Sequence, residues 1–116
     1  HSSRAIAAVL GLNKEDYGVS FQSRLGTNAW IQPYTDKVLQ SLYEKGARRL
    51  AVACPAFVTD CIETLEEIEM ELKEQWIEMG GESLSLIPCL NDSQGWVDTV
   101  SEWIQEKLMI ENKEVV

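Results

Sequence analysis

The sequence predicts an α/β domain: a parallel sheet covered by helices on both faces, in three layers. Two observations predict it. Short apolar runs ended by turn residues alternate with longer segments whose apolar residues recur at helical spacing, giving the order helix, strand, helix, strand, helix, strand, helix. The run RLAVAC at 49–54 is apolar and is cut off by Pro55, as expected of a strand buried on both faces.

Each element has its own signal. Residues 3–10 are alanine-rich and read as a short helix with Gly11 at its C-terminal cap. Residues 17–23, YGVSFQS, read as a strand, and the loop 26–33 after it holds Trp30. Thr35 is suited to cap a helix over 36–45, with Val38, Leu39, Leu42 and Tyr43 on its buried face and Gly46 as its stop. After the 49–54 strand, Thr59 or Asp60 can cap a long helix running to about Met79. Ile62, Leu65, Ile68, Leu72, Trp76 and Met79 form its core-facing stripe, and Gly80-Gly81 ends it. Residues 84–88 read as the third strand. Asp92 or Ser93 can cap a last helix through Leu108, and 111–116 form a frayed tail. The whole of 1–116 is one domain by size. It opens on a helix with no strand before it, so the sequence is expected to start partway through a larger protein.

Composition narrows the function. Hydrophobic residues make up 45% and charged residues 25%, ordinary for a globular chain. The formal charge is −9 and nothing basic is clustered, which argues against nucleic acid as a partner and favours attraction of cations. No apolar run approaches the roughly 18 residues of a membrane span. Cys54, Cys61 and Cys89 lack CxxC spacing, which argues against a zinc site, an iron–sulfur site and a disulfide framework. Buried thiols in a reducing cytosol are the reading for Cys54 and Cys89. His1 is the only histidine, so no Ser/His or Cys/His pair can be built around a mid-chain base.

In open parallel sheets, ligands bind outside the carboxyl ends of the strands. The segments 23–26, 55–58 and 89–92 lie there, and the long helix begins just after the second. Glu63, Glu67, Glu71, Glu74 and Glu78 line one face of that helix at spacings of four, four, three and four. Crowded carboxylates repel when ionised, which predicts raised pKa values and a group able to take up a proton near neutral pH. The same oxygens can hold a divalent cation loosely. The plain alternative is the solvated face of an amphipathic helix, although Lys73 is the only lysine there to balance it. Trp30 can stack on a flat aromatic ligand or merely pin its loop. Ser23 and Arg24 can contact a polar ligand group or cap the loop.

Three runs carry a family resemblance. PAFVTDCIETLEEIEME (55–71) resembles the signature of ferrochelatases, in the variant with cysteine at position 61. SFQSRLGTNAWIQPYTD (20–36) is similar to the family's loop at the preceding strand end, and GGESLSLIPCLND (80–92) to its final strand and following loop. The resemblance implies a C-terminal, chelatase-like half-domain of an enzyme that inserts ferrous iron into a porphyrin, protoporphyrin IX or coproporphyrin, in heme biosynthesis. Glu63 matches the active-site glutamate, as metal ligand or proton acceptor. Glu67 and Glu71 match an acidic line serving metal or protons. Ser23, Trp30 and Phe57 match residues around the porphyrin, and Cys61 stands in the pocket where some relatives have histidine. Fe2+ is then a substrate, and no organic cofactor is implied.

The sequence departs from the family's pattern in two ways. The His-Gly-apolar-Pro motif is absent, so the N-terminal half that carries it is expected as a partner, and the chain alone is expected to be weak or inactive. No cysteine follows Cys89, which implies no [2Fe–2S] cluster. The location implied is cytoplasmic or peripheral to a membrane. Two other readings stand beside this one: a one-domain homodimeric tetrapyrrole chelatase, and a non-catalytic divalent-metal-binding module. A chain lacking half its family's fold should also expose an apolar face.

Overall fold

The computed structural model describes residues 1–22 and 31–111. Its elements are α1 (Ser2–Val9), α2 (Thr35–Glu44), β1 (Arg49–Ala53), a continuous helical run over 62–78, β2 (Ser83–Ile87) and α5 (Gln94–Glu111). The run over 62–78 has three parts: α3 (Ile62–Thr64), a π-helical stretch (Leu65–Leu72) and α4 (Lys73–Glu78). Strands β1 and β2 pair in parallel, from Arg49 opposite Ser83 to Ala53 opposite Ile87. Parallel neighbours need a crossover, and the 62–78 helix provides it. The fold is mixed α/β.

Glycines end the helices where the sequence places them. Gly11, Gly46 and Gly80 have φ of 68°, 95° and 101°, the left-handed conformation that closes a helix. Gly81 has a different reason to be glycine. A Cβ there would collide with the Trp76 indole. That indole is fully buried at the centre of a core made with Leu39, Ile68, Leu72 and Leu84.

Three sequence expectations need correction. Residues 17–22 form no strand; the segment makes one isolated parallel bridge, Phe21 to Tyr34. Phe21 N–H donates to Pro33 O at 2.9 Å and its carbonyl accepts from Thr35 N–H at 3.2 Å. The segment thus pairs with the chain entering α2 rather than with the sheet. Thr35 is the first residue of α2, not its cap, and its hydroxyl lies 3.1 Å from that of Ser20. The core stripe of the long helix also shifts: Ile62 and Leu65 are exposed, and the buried positions are Thr64, Ile68, Leu72 and Trp76. Residues four apart drift around an α-helix of 3.6 residues per turn. The wider turn of a π-helix reduces that drift and keeps the ladder on the sheet.

On α5, Val97, Trp103, Ile104 and Met109 are exposed, with Trp96 and Trp103 packed edge to face. Around the carboxyl ends of the strands, Val58, Ile62, Ile87 and Leu90 are exposed as well. Large apolar side chains are thus exposed on two parts of the described surface. Among the described residues, no helix is long and apolar enough to cross a membrane. The expected frayed tail falls mostly on 112–116, outside the described residues.

Candidate functional site

The segment from Cys54 to Cys61 leaves the carboxyl end of β1 and delivers the chain to the long helix. Sequence alone puts the helix cap at Thr59 or Asp60. The structure puts it at Cys61, and Thr64 reaches back to secure it. The Thr64 hydroxyl is fully buried. It accepts from the Cys61 N–H at 3.0 Å and donates to Asp60 Oδ1 at 3.0 Å.

Asp60 is thereby free to face the loop after β2. Its own N–H donates to Asn91 Oδ1 at 2.9 Å, and Asn91 Nδ2 donates to Asp60 Oδ2 at 2.8 Å. Cys89 N–H adds longer contacts of 3.3 and 3.4 Å to the same carboxylate. The Asn91 amide, with smaller help from Cys89 and Thr64, holds the Asp60 carboxyl below its ordinary range against the opposing effect of burial.

The candidate residues fall into three adjacent groups. Phe57, half-buried, lines a cavity of about 340 Å3 with Cys54, Pro55, Pro88, Cys89 and Leu90, closed on one side by Ser2 and Ile6 of α1. Cys61 and Glu63, both half-buried, sit at the start of the helix. Glu67 and Glu71 line a second, more polar cavity of about 310 Å3 with Gln22, Tyr34, Thr35 and Asp36. There Gln22 Nε2 donates to Glu67 Oε2 at 2.8 Å. Ser23 and Trp30 lie outside the described residues. Among the described residues, no three histidine, cysteine, aspartate or glutamate side chains group so as to hold a metal ion. The glutamates run along the helix as a line.

The electrostatics of Glu63 differ from the sequence expectation. Repulsion in the stripe predicted a raised pKa, but Glu63 is held below the ordinary carboxylate value. The Cys61 thiol donates to it, and its own backbone N–H at the open start of the helix does the same. The thiols move the other way. Burial, followed by the nearby Asp60 carboxylate, pushes Cys89 up to about 11, and the same two causes raise Cys54. Both are therefore neutral thiols at pH 7.

These shifts fix the signs of the stability profile. Lowered carboxyls stabilise the fold above their ordinary values, and that stability is lost as pH falls through the folded values. Raised thiols stabilise it below their ordinary values, and that stability is lost as pH climbs toward the folded ones. The denaturation midpoint should be flat from about pH 5 to 8, fall below about pH 4, and fall again between about pH 9 and 11. Cys89→Ala should flatten the alkaline fall. A wild-type midpoint unchanged at about pH 3 would contradict the Asp60 network.

Comparison with known proteins agrees with the sequence signature. A family model described as Ferrochelatase matches residues 1–108. A ferrochelatase of Pseudomonas aeruginosa (strain LESB58) is 55% identical over 101 residues, covering 87% of this chain and 30% of that protein. A ferrochelatase of Coxiella burnetii (strain Dugway 5J108-111) is 49% identical over 109 residues, covering 94% of this chain and 31% of that protein. The chain thus spans about 30% of the length of these curated relatives.

Proposed function

This chain belongs to the ferrochelatase family, and we propose that it forms one wall of a cleft in which ferrous iron is inserted into a porphyrin such as protoporphyrin IX. The observation that carries this reading is the course of the chain out of β1. Within a few residues it presents Phe57 to an apolar cavity shared with the loop after β2, and then a carboxylate, Glu63, in the first turn of the helix. A flat, largely apolar macrocycle needs the first, and a cation entering it needs the second.

The reaction exchanges two protons for one cation. Two pyrrole N–H bonds break, two protons leave, and the ring nitrogens take up Fe2+. Phe57 and Cys61, with Ser23 and Trp30, contact the macrocycle. Glu63 meets the cation or the departing protons, and Glu67 and Glu71 extend the line away from the ring. Iron is a substrate here; neither an organic cofactor nor a [2Fe–2S] cluster is part of the proposal. The length of the relatives that this chain does not span supplies the facing wall and completes a three-layer α/β/α half-domain pair in a cytoplasmic or membrane-peripheral enzyme.

The test is an absorbance titration of the chain with a water-soluble porphyrin. Binding should weaken roughly ten- to a hundredfold on Trp30→Ala, the loss expected when a stacking ring is truncated at a buried contact. Metal binding with no porphyrin binding, and a metal affinity unchanged by Trp30→Ala, would favour the metal-binding module instead.

A further inference from the structure

We infer that Asp60 and Asn91 are a pair of positioning residues that hold the Glu63-bearing start of the long helix against the loop following β2. The functional meaning of the pair rests on the metallation reading above; the clamp itself rests on geometry alone.

The two residues exchange hydrogen bonds reciprocally. Asp60 gives its backbone N–H to the Asn91 side chain at 2.9 Å and receives the Asn91 amide on its carboxylate at 2.8 Å. Asn91 is fixed on its own side as well. Its N–H donates to Val58 O at 2.9 Å, and Nδ2 also reaches Cys89 O at 3.2 Å. It sits at φ 48°, in the left-handed region that asparagine tolerates better than most residues.

What Asp60 gives up is informative. A carboxylate immediately before a helix ordinarily caps that helix. Here the cap falls to Cys61 with Thr64, and Asp60 turns to the other loop. Departures from a local preference gather at functional sites, where position matters more than local stability. Strands β1 and β2 hold the two loops together only at their roots. Beyond the sheet, the Asp60–Asn91 pair sets the distance between Glu63 and the Cys89 side of the apolar cavity.

Residue-resolved amide hydrogen exchange on the full chain tests this. The amides of Thr64 and Leu65 both donate to Cys61 O, at 3.1 and 2.9 Å, and report the helix start. Asn91→Ala should accelerate their exchange roughly 5- to 100-fold, the range for leaving buried hydrogen-bonding groups unpaired. The β1 amides should change far less. The exchange variant D60N/N91D restores a donor opposite a carboxylate and should recover most of the protection that either single substitution loses. Uniform acceleration across the chain, or unchanged exchange at 64 and 65, would overturn the clamp. Porphyrin titration of the same variants separates the two readings. A clamp present by exchange, with porphyrin affinity and metal uptake identical in Asn91→Ala, removes the positioning role. A wild-type chain that binds no porphyrin counts against the metallation reading and leaves the clamp in place.

Discussion

Trp76→Ala is expected to destabilise the fold by about 3–5 kcal/mol, most of what a domain of this size has in reserve. Trp76 is completely buried and is the largest side chain in a small core. Its neighbours come from separate parts of the chain. Tyr43 of α2 meets it edge-on, with ring centres 6.0 Å apart at 81°. Its Nε1 donates to Arg48 O at 3.1 Å, just before β1. Gly81 lies against the ring at the start of the segment leading into β2. The Arg48 guanidinium in turn stacks 3.9 Å from the centre of the Tyr43 ring. Removing the indole opens a cavity at the one place where α2, the long helix and the sheet converge. Trp76→Phe should cost much less, because Arg48 O keeps the N–H of Glu82 at 2.8 Å. Urea unfolding followed by far-ultraviolet circular dichroism measures both. A loss below about 1 kcal/mol for the alanine variant would mean that this core does not organise the domain.

The elements legible in the sequence are those whose signal is local. The glycines at 46 and 80 and the spacing of Leu39, Leu42 and Tyr43 each specify structure within a few residues, and the structure follows them; the RLAVAC run also gives a parallel strand, but an alternating one, with Arg49, Ala51 and Ala53 exposed rather than a strand buried on both faces. The misread elements depend on distant partners. YGVSFQS has a strand's composition, but its backbone partner is the chain at Pro33–Thr35, not the sheet. The stripe on the long helix was read at α-helical period, so Ile62 and Leu65 were assigned to the core. A ladder of Thr64, Ile68, Leu72 and Trp76 at strict intervals of four was the available sign of a wider turn. Within the candidate site, Glu63 was singled out by the family resemblance and by its place at the head of the carboxylate stripe, both of which are legible in the local sequence. Asp60 was read only as a cap, since nothing near it in sequence points to Asn91, 31 residues away.

Glu63→Gln separates the two roles open to that carboxylate. In any assembly in which this chain metallates a porphyrin, we expect the variant to raise the half-saturating concentration of ferrous iron by at least roughly 10- to 100-fold, the loss seen when even an outer contact of a metal site is removed. The rate at saturating iron should fall less. The reason is the direction of the Glu63 shift. A base works best when its pKa lies near the operating pH, and Glu63 has moved away from neutrality. The Cys61 thiol and the helix-start N–H keep it ionised, which weakens it as a proton acceptor and keeps it available as an oxygen ligand. The opposite pattern is equally readable. A drop of about 10²–10⁴-fold at saturating iron, with an unchanged iron requirement, would assign Glu63 to proton transfer. The contact from Cys61 would then have to break when porphyrin binds, because a carboxylate relieved of that donor regains part of its basicity. Cys61→Ala provides the cross-check. It removes the thiol donor without touching the carboxylate, so it should raise the half-saturating iron concentration only if Glu63 acts as a ligand held in place by that contact.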